Sequence, residues 1–197
     1  MADKYESRFV GELDDKPRDR ELLEIFASAA SDPIVDIGCG PGQVGAFVRE
    51  RGRRVVGLDL SPEMVRLAKG RLDAAVVADM RLLPLAAGQI GGLLAFYSLI
   101  HLRRSDLETT LAEFRRVLRP GGQVLFSAHE GDDEVELDRF LDEPVRFGAT
   151  LFELDELVVA SEGAGLEVTL AERRAPYTTE SQTVRLYVGA RRPELDR

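Results

Sequence analysis

Apolar and polar positions along the chain keep two rhythms. Short, mostly apolar runs recur at Ile34 to Ile37, Arg54 to Leu58, Ala74 to Ala78, Ile90 to Leu99 and about Gln123 to Ala128. Between them, apolar residues fall three and four apart: in Arg20 to Ala30, Val44 to Glu50, Met64 to Leu72, and the segment with Leu107, Leu111, Phe114 and Val117 or Leu118 on one face. The first rhythm predicts buried strands and the second predicts helices. Strand and helix in alternation predict a doubly wound α/β sheet, mostly parallel, with helices on both faces. The run Ile90 to Leu99 is apolar throughout and is expected to be buried on both sides. Near the C-terminus the rhythm changes to strict alternation. Leu166, Val168 and Leu170 alternate with Glu167, Thr169 and Ala171, and Val184, Leu186 and Val188 alternate likewise. These are the last two strands, joined through Pro176 to Ser181, with Tyr177 in the connection.

Boundary residues sharpen the elements. Tyr5, Phe9, Val10 and Leu13 can share a helical face, which Lys16-Pro17-Arg18 interrupts, and Asp19 is expected to cap the next helix. Ser61 followed by Pro62 reads as a cap and a first-turn proline. Ser105 and Glu108 fit a capping box, and Pro120-Gly121-Gly122 reads as that helix's stop and turn. Asp155 is expected to cap a helix to Glu162, closed by Gly163-Ala164-Gly165.

Candidate chemistry concentrates in Val35-Asp36-Ile37-Gly38-Cys39-Gly40-Pro41-Gly42. A strand, a glycine turn and a helix make a cradle for a nucleotide-like ligand. The spacing is G-x-G-x-G; Gln43 stands where the dinucleotide fingerprint has its third glycine. Asp36 at the strand's mouth would repel a pyrophosphate and suit an ammonium group. Asp59 lies at the tip of the second strand, where an acid in an open parallel sheet accepts from ribose hydroxyls; capping is its alternative role. Leu60 beside it offers apolar contact to a base.

Composition narrows the classes. The 197 residues suit one domain, 1–197, with its own core. A net charge of −9 without a basic stripe speaks against nonspecific binding to nucleic acid or an anionic membrane. Cys39 is the one cysteine, so disulfide scaffolds and cysteine zinc sites are excluded. Without a leader pattern or an apolar run near the roughly 20 residues of a membrane span, the expectation is a cytoplasmic chain. Monomer and homodimer both stay open.

The glycine stretch resembles motif I of the class I S-adenosylmethionine-dependent methyltransferases, whose consensus is close to V-D-[IVL]-G-C-G-x-G. Leu-Arg-Pro-Gly-Gly at 118–122 is also similar to a family hallmark, and the likeness covers roughly residues 30 to 130. The nearest type is the small-molecule methyltransferases related to quinone biosynthesis. The resemblance implies a seven-stranded Rossmann-like sheet with its last strand antiparallel, S-adenosyl-L-methionine as cofactor, and a small-molecule methyl acceptor. It implies cofactor contacts from Asp36, Gly38, Cys39, Gly40, Gly42, Asp59 and Leu60. It adds Asp79 at the adenine amino group, Met80 at the ring, and Tyr97 and Ser98 where cofactor meets acceptor. Residues 1–31 would form a helical cover. Within it Arg20 would pair with the cofactor carboxylate or remain a surface arginine, and Tyr5 would serve as a lid residue or a core one. Residues 130–154 stand where relatives carry an acceptor-covering insertion. Their many acids would favour a cationic acceptor or simply form a solvated face.

The chain departs from the family at Gly91-Gly92, where many relatives have Phe-Asp. It lacks the Asn/Asp-Pro-Pro-Tyr motif of adenine and amide methylation, and the acid cluster that holds magnesium in catechol-type relatives, so no metal is expected. His101 and His129 are the only histidines, each placed just after a strand. Either can serve as general base, and His101 can instead orient its loop. A noncatalytic cofactor-binding module and an NAD-dependent oxidoreductase are the rival readings. Asp36 and the missing third glycine count against the latter.

Overall fold

A computed structural model of the chain describes Glu6 and residues 10–140 and 143–194, with the backbone alone for 137–140 and 143–147. Seven strands form one sheet in the order β3-β2-β1-β4-β5-β9-β8. They are β1 (Ile34–Ile37), β2 (Val55–Asp59), β3 (Ala74–Val77), β4 (Ile90–Phe96), β5 (Leu118–His129), β8 (Glu167–Arg174) and β9 (Arg185–Arg191). The first five pair in parallel, while β9 runs antiparallel to both β5 and β8. The doubly wound sheet with a reversed last strand is therefore borne out. Two further strands, β6 (Glu134–Phe140) and β7 (Glu143–Thr150), form a separate antiparallel pair.

Period-two alternation explains the two-sided core. In β1, Val35 and Ile37 face one apolar cluster and Ile34 the other; in β4, Leu93 and Ala95 oppose Leu94 and Phe96. Helices α1 (Pro17–Ala29), α2 (Gln43–Arg49) and α3 (Pro62–Ala68) cover one face. Helices α4 (Leu107–Val117) and α5 (Leu154–Gly163) cover the other with Leu111, Phe114 and Leu157.

Several expected boundaries move. Helix α1 starts at Pro17, a favourable first-turn residue, and Asp19 is buried inside it rather than capping it. Helix α4 has Asp106 at its cap position without a side-chain bond, so the Ser105–Glu108 box is absent. Helix α5 is capped by a Glu153–Glu156 box and not by Asp155. Pro120-Gly121-Gly122 lies within β5: α4 stops at Val117 because residues ahead of a proline leave the helical region, and the strand begins at once. Strand β4 ends at Phe96, since Tyr97 turns to φ 51° and starts a tight turn. Of the proposed N-terminal helical face, Leu13 is buried and Val10 exposed, while Tyr5 and Phe9 lie outside the described residues. No helix among the described residues is long and apolar enough to cross a membrane.

The 130–154 segment is the β6–β7 hairpin, docked at its base. Arg104 pairs with Glu156 and donates to the carbonyls of Asp132 and Leu151, and Thr150 Oγ1 donates to Leu102 O at 2.5 Å. Glu130 pairs with Arg173 at 2.5 Å, and Glu134 accepts from Arg104 N at 3.0 Å. Asp132, Asp133 and Glu136 are exposed, in line with a solvated face. The side chains of Leu137, Asp138, Phe140, Leu141, Asp142, Glu143, Val145 and Phe147 lie outside the described residues.

Candidate cofactor and acceptor site

The carboxyl ends of β1, β2 and β4 meet around the glycine turn. Gly38, Gly40 and Gly42 have φ of 63°, 53° and 90°, a region that side chains rarely adopt. At Gly38 a Cβ would also come within 2.3 Å of Ser98 Cβ, so the turn sits directly on the exit of β4. Gly38 N and Cys39 N both donate to Leu58 O, at 2.7 and 3.1 Å, which fastens the turn to β2. Cys39 is buried beneath it, and burial with the nearby Asp36 and Asp59 charges pushes its thiol up.

Asp59 closes the cradle. Its Oδ2 accepts from Gly40 N and its Oδ1 from Ser61 N, both at 2.8 Å. Each oxygen keeps a lone pair for a further donor. Leu60 beside it is 68% exposed, an apolar side chain without cover. Asp79 also stands at a strand end, but its carboxylate pairs with Arg81 at 2.7 Å, which holds it below the usual range. Met80 is half-buried against the core.

Asp36 is placed differently from its expected position at the strand's mouth. It is 2% exposed, and its Oδ2 accepts from Gly45 N at 2.9 Å, inside the first turn of α2. Burial, with Asp59 adding to it, pushes its carboxyl up to about 7. Arg20 also lies apart from the cradle. It reaches Asp14 at 3.5 Å and covers the Phe47 ring at 5.3 Å, in a groove of about 470 Å³ beside α2. Lys16, one turn earlier, stands over the Tyr97 ring at 4.9 Å and pairs with Glu12 at 2.6 Å. Glu12 in turn accepts from Gln43 Nε2 at 2.9 Å.

Two buried polar atoms at the cradle have no hydrogen-bond partner among the described residues: Ser98 Oγ and Gln43 Oε1. Such orphans are costly unless a ligand or water satisfies them. The open glycine turn, the acid at the tip of β2, the bare Leu60 and these orphans together leave acceptors and an apolar face unanswered at one end of the sheet.

Beyond Tyr97 the site becomes charged. Tyr97 OH donates to Asp19 Oδ2 at 3.1 Å, and Tyr187 OH donates to Asp19 Oδ1 at 2.5 Å. Arg174 donates to Tyr187 OH at 2.9 Å and forks onto Glu180 at 2.8 and 2.9 Å. The imidazole of His129 stacks on Tyr97, with centroids 5.2 Å apart, and its Nδ1 lies 2.8 Å from Thr183 Oγ1. Burial, then Arg185 and Lys16, push its pKa down to about 4. His101 lies at the surface edge, with Nδ1 3.3 Å from Gly148 O of β7, and burial of its ring lowers its pKa as it does that of His129.

Asp19, Lys16, Glu180, Arg185 and Tyr187 were missed from sequence. In β9, Arg185 and Tyr187 alternate with Leu186 and Val188, a pattern that reads as a solvent-facing side. A strand between β5 and β8, covered on both faces, buries its polar positions too.

Residues 34–122 match the family model described as Methyltransferase domain. The chain is 40% identical over 108 residues to the malonyl-[acyl-carrier protein] O-methyltransferase of Serratia marcescens, covering 54% of this chain and 42% of that one. It is 35% identical over 99 residues to the N-demethylindolmycin N-methyltransferase of Streptomyces griseus, covering 47% and 42%. The chain thus spans about half the length of the curated relatives it matches. In fold it is similar to an S-adenosylmethionine-dependent methyltransferase structure from Methanosarcina mazei, at TM-score 0.74 and 18% identity, over 86% of this chain and 97% of that one.

Proposed function

We propose that the chain is a class I S-adenosylmethionine-dependent methyltransferase that transfers the methyl group to a small-molecule acceptor without a metal. The observation that carries this reading is the cradle, where Asp59 braces the glycine turn beside two unpartnered buried polar atoms. The sulfonium of the donor activates the methyl group on its own. What the protein then supplies is alignment: Asp59 and Leu60 hold the adenosine, and Tyr97 and Ser98 set the floor on which donor and acceptor meet. The acceptors in the two relatives' names differ in the atom methylated, oxygen in one and nitrogen in the other. Among the described residues, no three His, Cys, Asp or Glu side chains gather as metal ligands.

Calorimetry in the presence of a chelator tests the reading. S-adenosylmethionine and its demethylated product are expected to bind, with NADH silent. Absence of binding, or binding restored only by magnesium, overturns it. Binding without turnover on a broad acceptor panel would favour a regulatory module.

A further inference from the structure

The cradle is covered by the chain's own approach to α1. Glu12–Asp15 form a single 3-10 turn, and Lys16 follows as the residue ahead of α1. Within this strap Glu12 Oε2 accepts from Lys16 Nζ at 2.6 Å, and the two side chains are 16% and 12% exposed. The pair spans the site. At one end Glu12 Oε1 accepts from Gln43 Nε2 at 2.9 Å, directly after Gly42. At the other, Lys16 Nζ stands over the Tyr97 ring at 4.9 Å, at the exit of β4. Beneath the strap Ser98 is 3% exposed, with its Oγ unpartnered. The groove of about 470 Å³ beside α2 borders Leu13 and Gln43 but includes neither Asp59 nor Tyr97.

Gln43 defines the chemistry of this contact. A carboxylate only accepts, so the amide turns its nitrogen to Glu12 and leaves Oε1, buried and unpartnered, on the other side. The residue thus presents a donor to a carboxylate, at the position where a dinucleotide fingerprint has its third glycine. Tyr97 presents an aromatic face, which attracts a cation. A carboxylate on an amide donor and an ammonium on an aromatic face, in contact with each other, are spaced like the two charged groups of an α-amino acid.

We propose that Gln43 is the receptor for the carboxylate of the cofactor's amino-acid tail, and that Glu12 and Lys16 fill that subsite until the tail displaces them. The proposal rests on the methyltransferase reading of the same cradle. Adenosine at Asp59 and Leu60 leaves the strap in place; only the tail competes with it. Exchanging Glu12 for the ligand's carboxylate keeps the Gln43 donor paired throughout, so Gln43 adds little to net affinity while the strap is present. The strap itself weakens binding according to the fraction of molecules in which the subsite is closed.

Calorimetry with S-adenosylhomocysteine and with 5′-methylthioadenosine, which lacks the amino-acid tail, tests this. Glu12→Ala should tighten S-adenosylhomocysteine by about tenfold and leave 5′-methylthioadenosine within about twofold, which also shows that the variant is folded. Gln43→Met should change S-adenosylhomocysteine affinity by less than about threefold when Glu12 is present. It should weaken it by about tenfold once Glu12 is alanine, when no exchange offsets the loss. Hydrogen exchange of the unaltered protein gives a second readout. The amides of Asp14 and Lys16, bonded to Gly11 O and Leu13 O, should exchange faster with S-adenosylhomocysteine bound and stay unchanged with 5′-methylthioadenosine. Unchanged or weaker S-adenosylhomocysteine binding in Glu12→Ala overturns the proposal. So do equal gains for both ligands, additive effects of the two substitutions, or added protection of the strap by S-adenosylhomocysteine. Failure of the unaltered protein to bind either ligand removes the methyltransferase reading instead.

Discussion

Asp59 braces the turn through Gly40 N and Ser61 N while keeping lone pairs for a ligand. Binding and local order therefore share one carboxylate. Hydrogen bonds to a charged group contribute about 1.5–3 kcal/mol each. Asp59→Ala is expected to weaken cofactor binding by at least about a hundredfold and to lower Tm; an unchanged dissociation constant by calorimetry would place the ribose elsewhere. Asp36 gives a prediction of opposite sign. Its folded pKa, about 7, lies above the unfolded carboxyl value, so the native state holds the extra proton between the two. The burial penalty is thus fully present above pH 7 and relieved as pH falls toward 4. Asp36→Asn keeps an oxygen for Gly45 N and removes the charge. It is expected to stabilise the fold at pH 8 by up to about 2 kcal/mol and to be near neutral at pH 5, read from urea midpoints. Equal effects at both pH values would show that Asp36 is ionised without penalty.

At the scale of elements, α1 is tied to the sheet through Asp19. Its carboxylate takes the hydroxyls of Tyr97 at the end of β4 and Tyr187 in β9. Removing a buried partner leaves polar groups unanswered, at about 1–3 kcal/mol per group. Asp19→Ala should therefore cost about 3 kcal/mol, and hydrogen exchange should show α1 losing protection before β1 and β2. Uniform loss across the sheet would contradict this division. How far such elements can be read from sequence depends on what caps and covers them. The apolar runs of β1, β2 and β4 and the glycine turn were legible because local rules govern them. Asp19 was read as a cap because a polar residue after Lys-Pro-Arg fits one; only the distant Tyr187 explains its burial. Gly91 and Gly92 looked like a lost acid, yet they are a matter of space. A Cβ at Gly91 would lie 2.0 Å from Ser31 O, and one at Gly92 would lie 2.8 Å from Phe26 Cζ, so the end of α1 rests on β4. Arg185 stayed illegible for the same reason as Tyr187: strand alternation predicts a solvent face, and sheet order abolishes it.

Across the whole molecule, charge is unevenly distributed. The chain carries −9 overall, yet beyond Tyr97 three cations, Lys16, Arg174 and Arg185, interleave with the acids Glu12, Asp19 and Glu180. A buried cluster in which each sign is answered by the other is screened by salt far less than the exposed surface acids. The topology makes this compatible with a packed interior. The parallel strands deliver the cradle, while β9 brings Arg185, β8 brings Arg174 and the start of α1 brings Lys16 beside it. Tyr97, just past the end of β4, packs against both apolar clusters, so the site lies over the seam between them.

That seam makes Cys39 a clock. It is the sole thiol, it is buried under the glycine turn, and its thiolate is suppressed there. A maleimide can reach it only when the turn lifts away from β2. The labelling rate therefore counts the openings, local or global, that expose Cys39. Saturating ligand should slow the clock in proportion to one plus the ligand concentration over its dissociation constant, which turns a kinetic trace into an affinity. A rate indifferent to ligand would mean that the turn breathes while the ligand is seated.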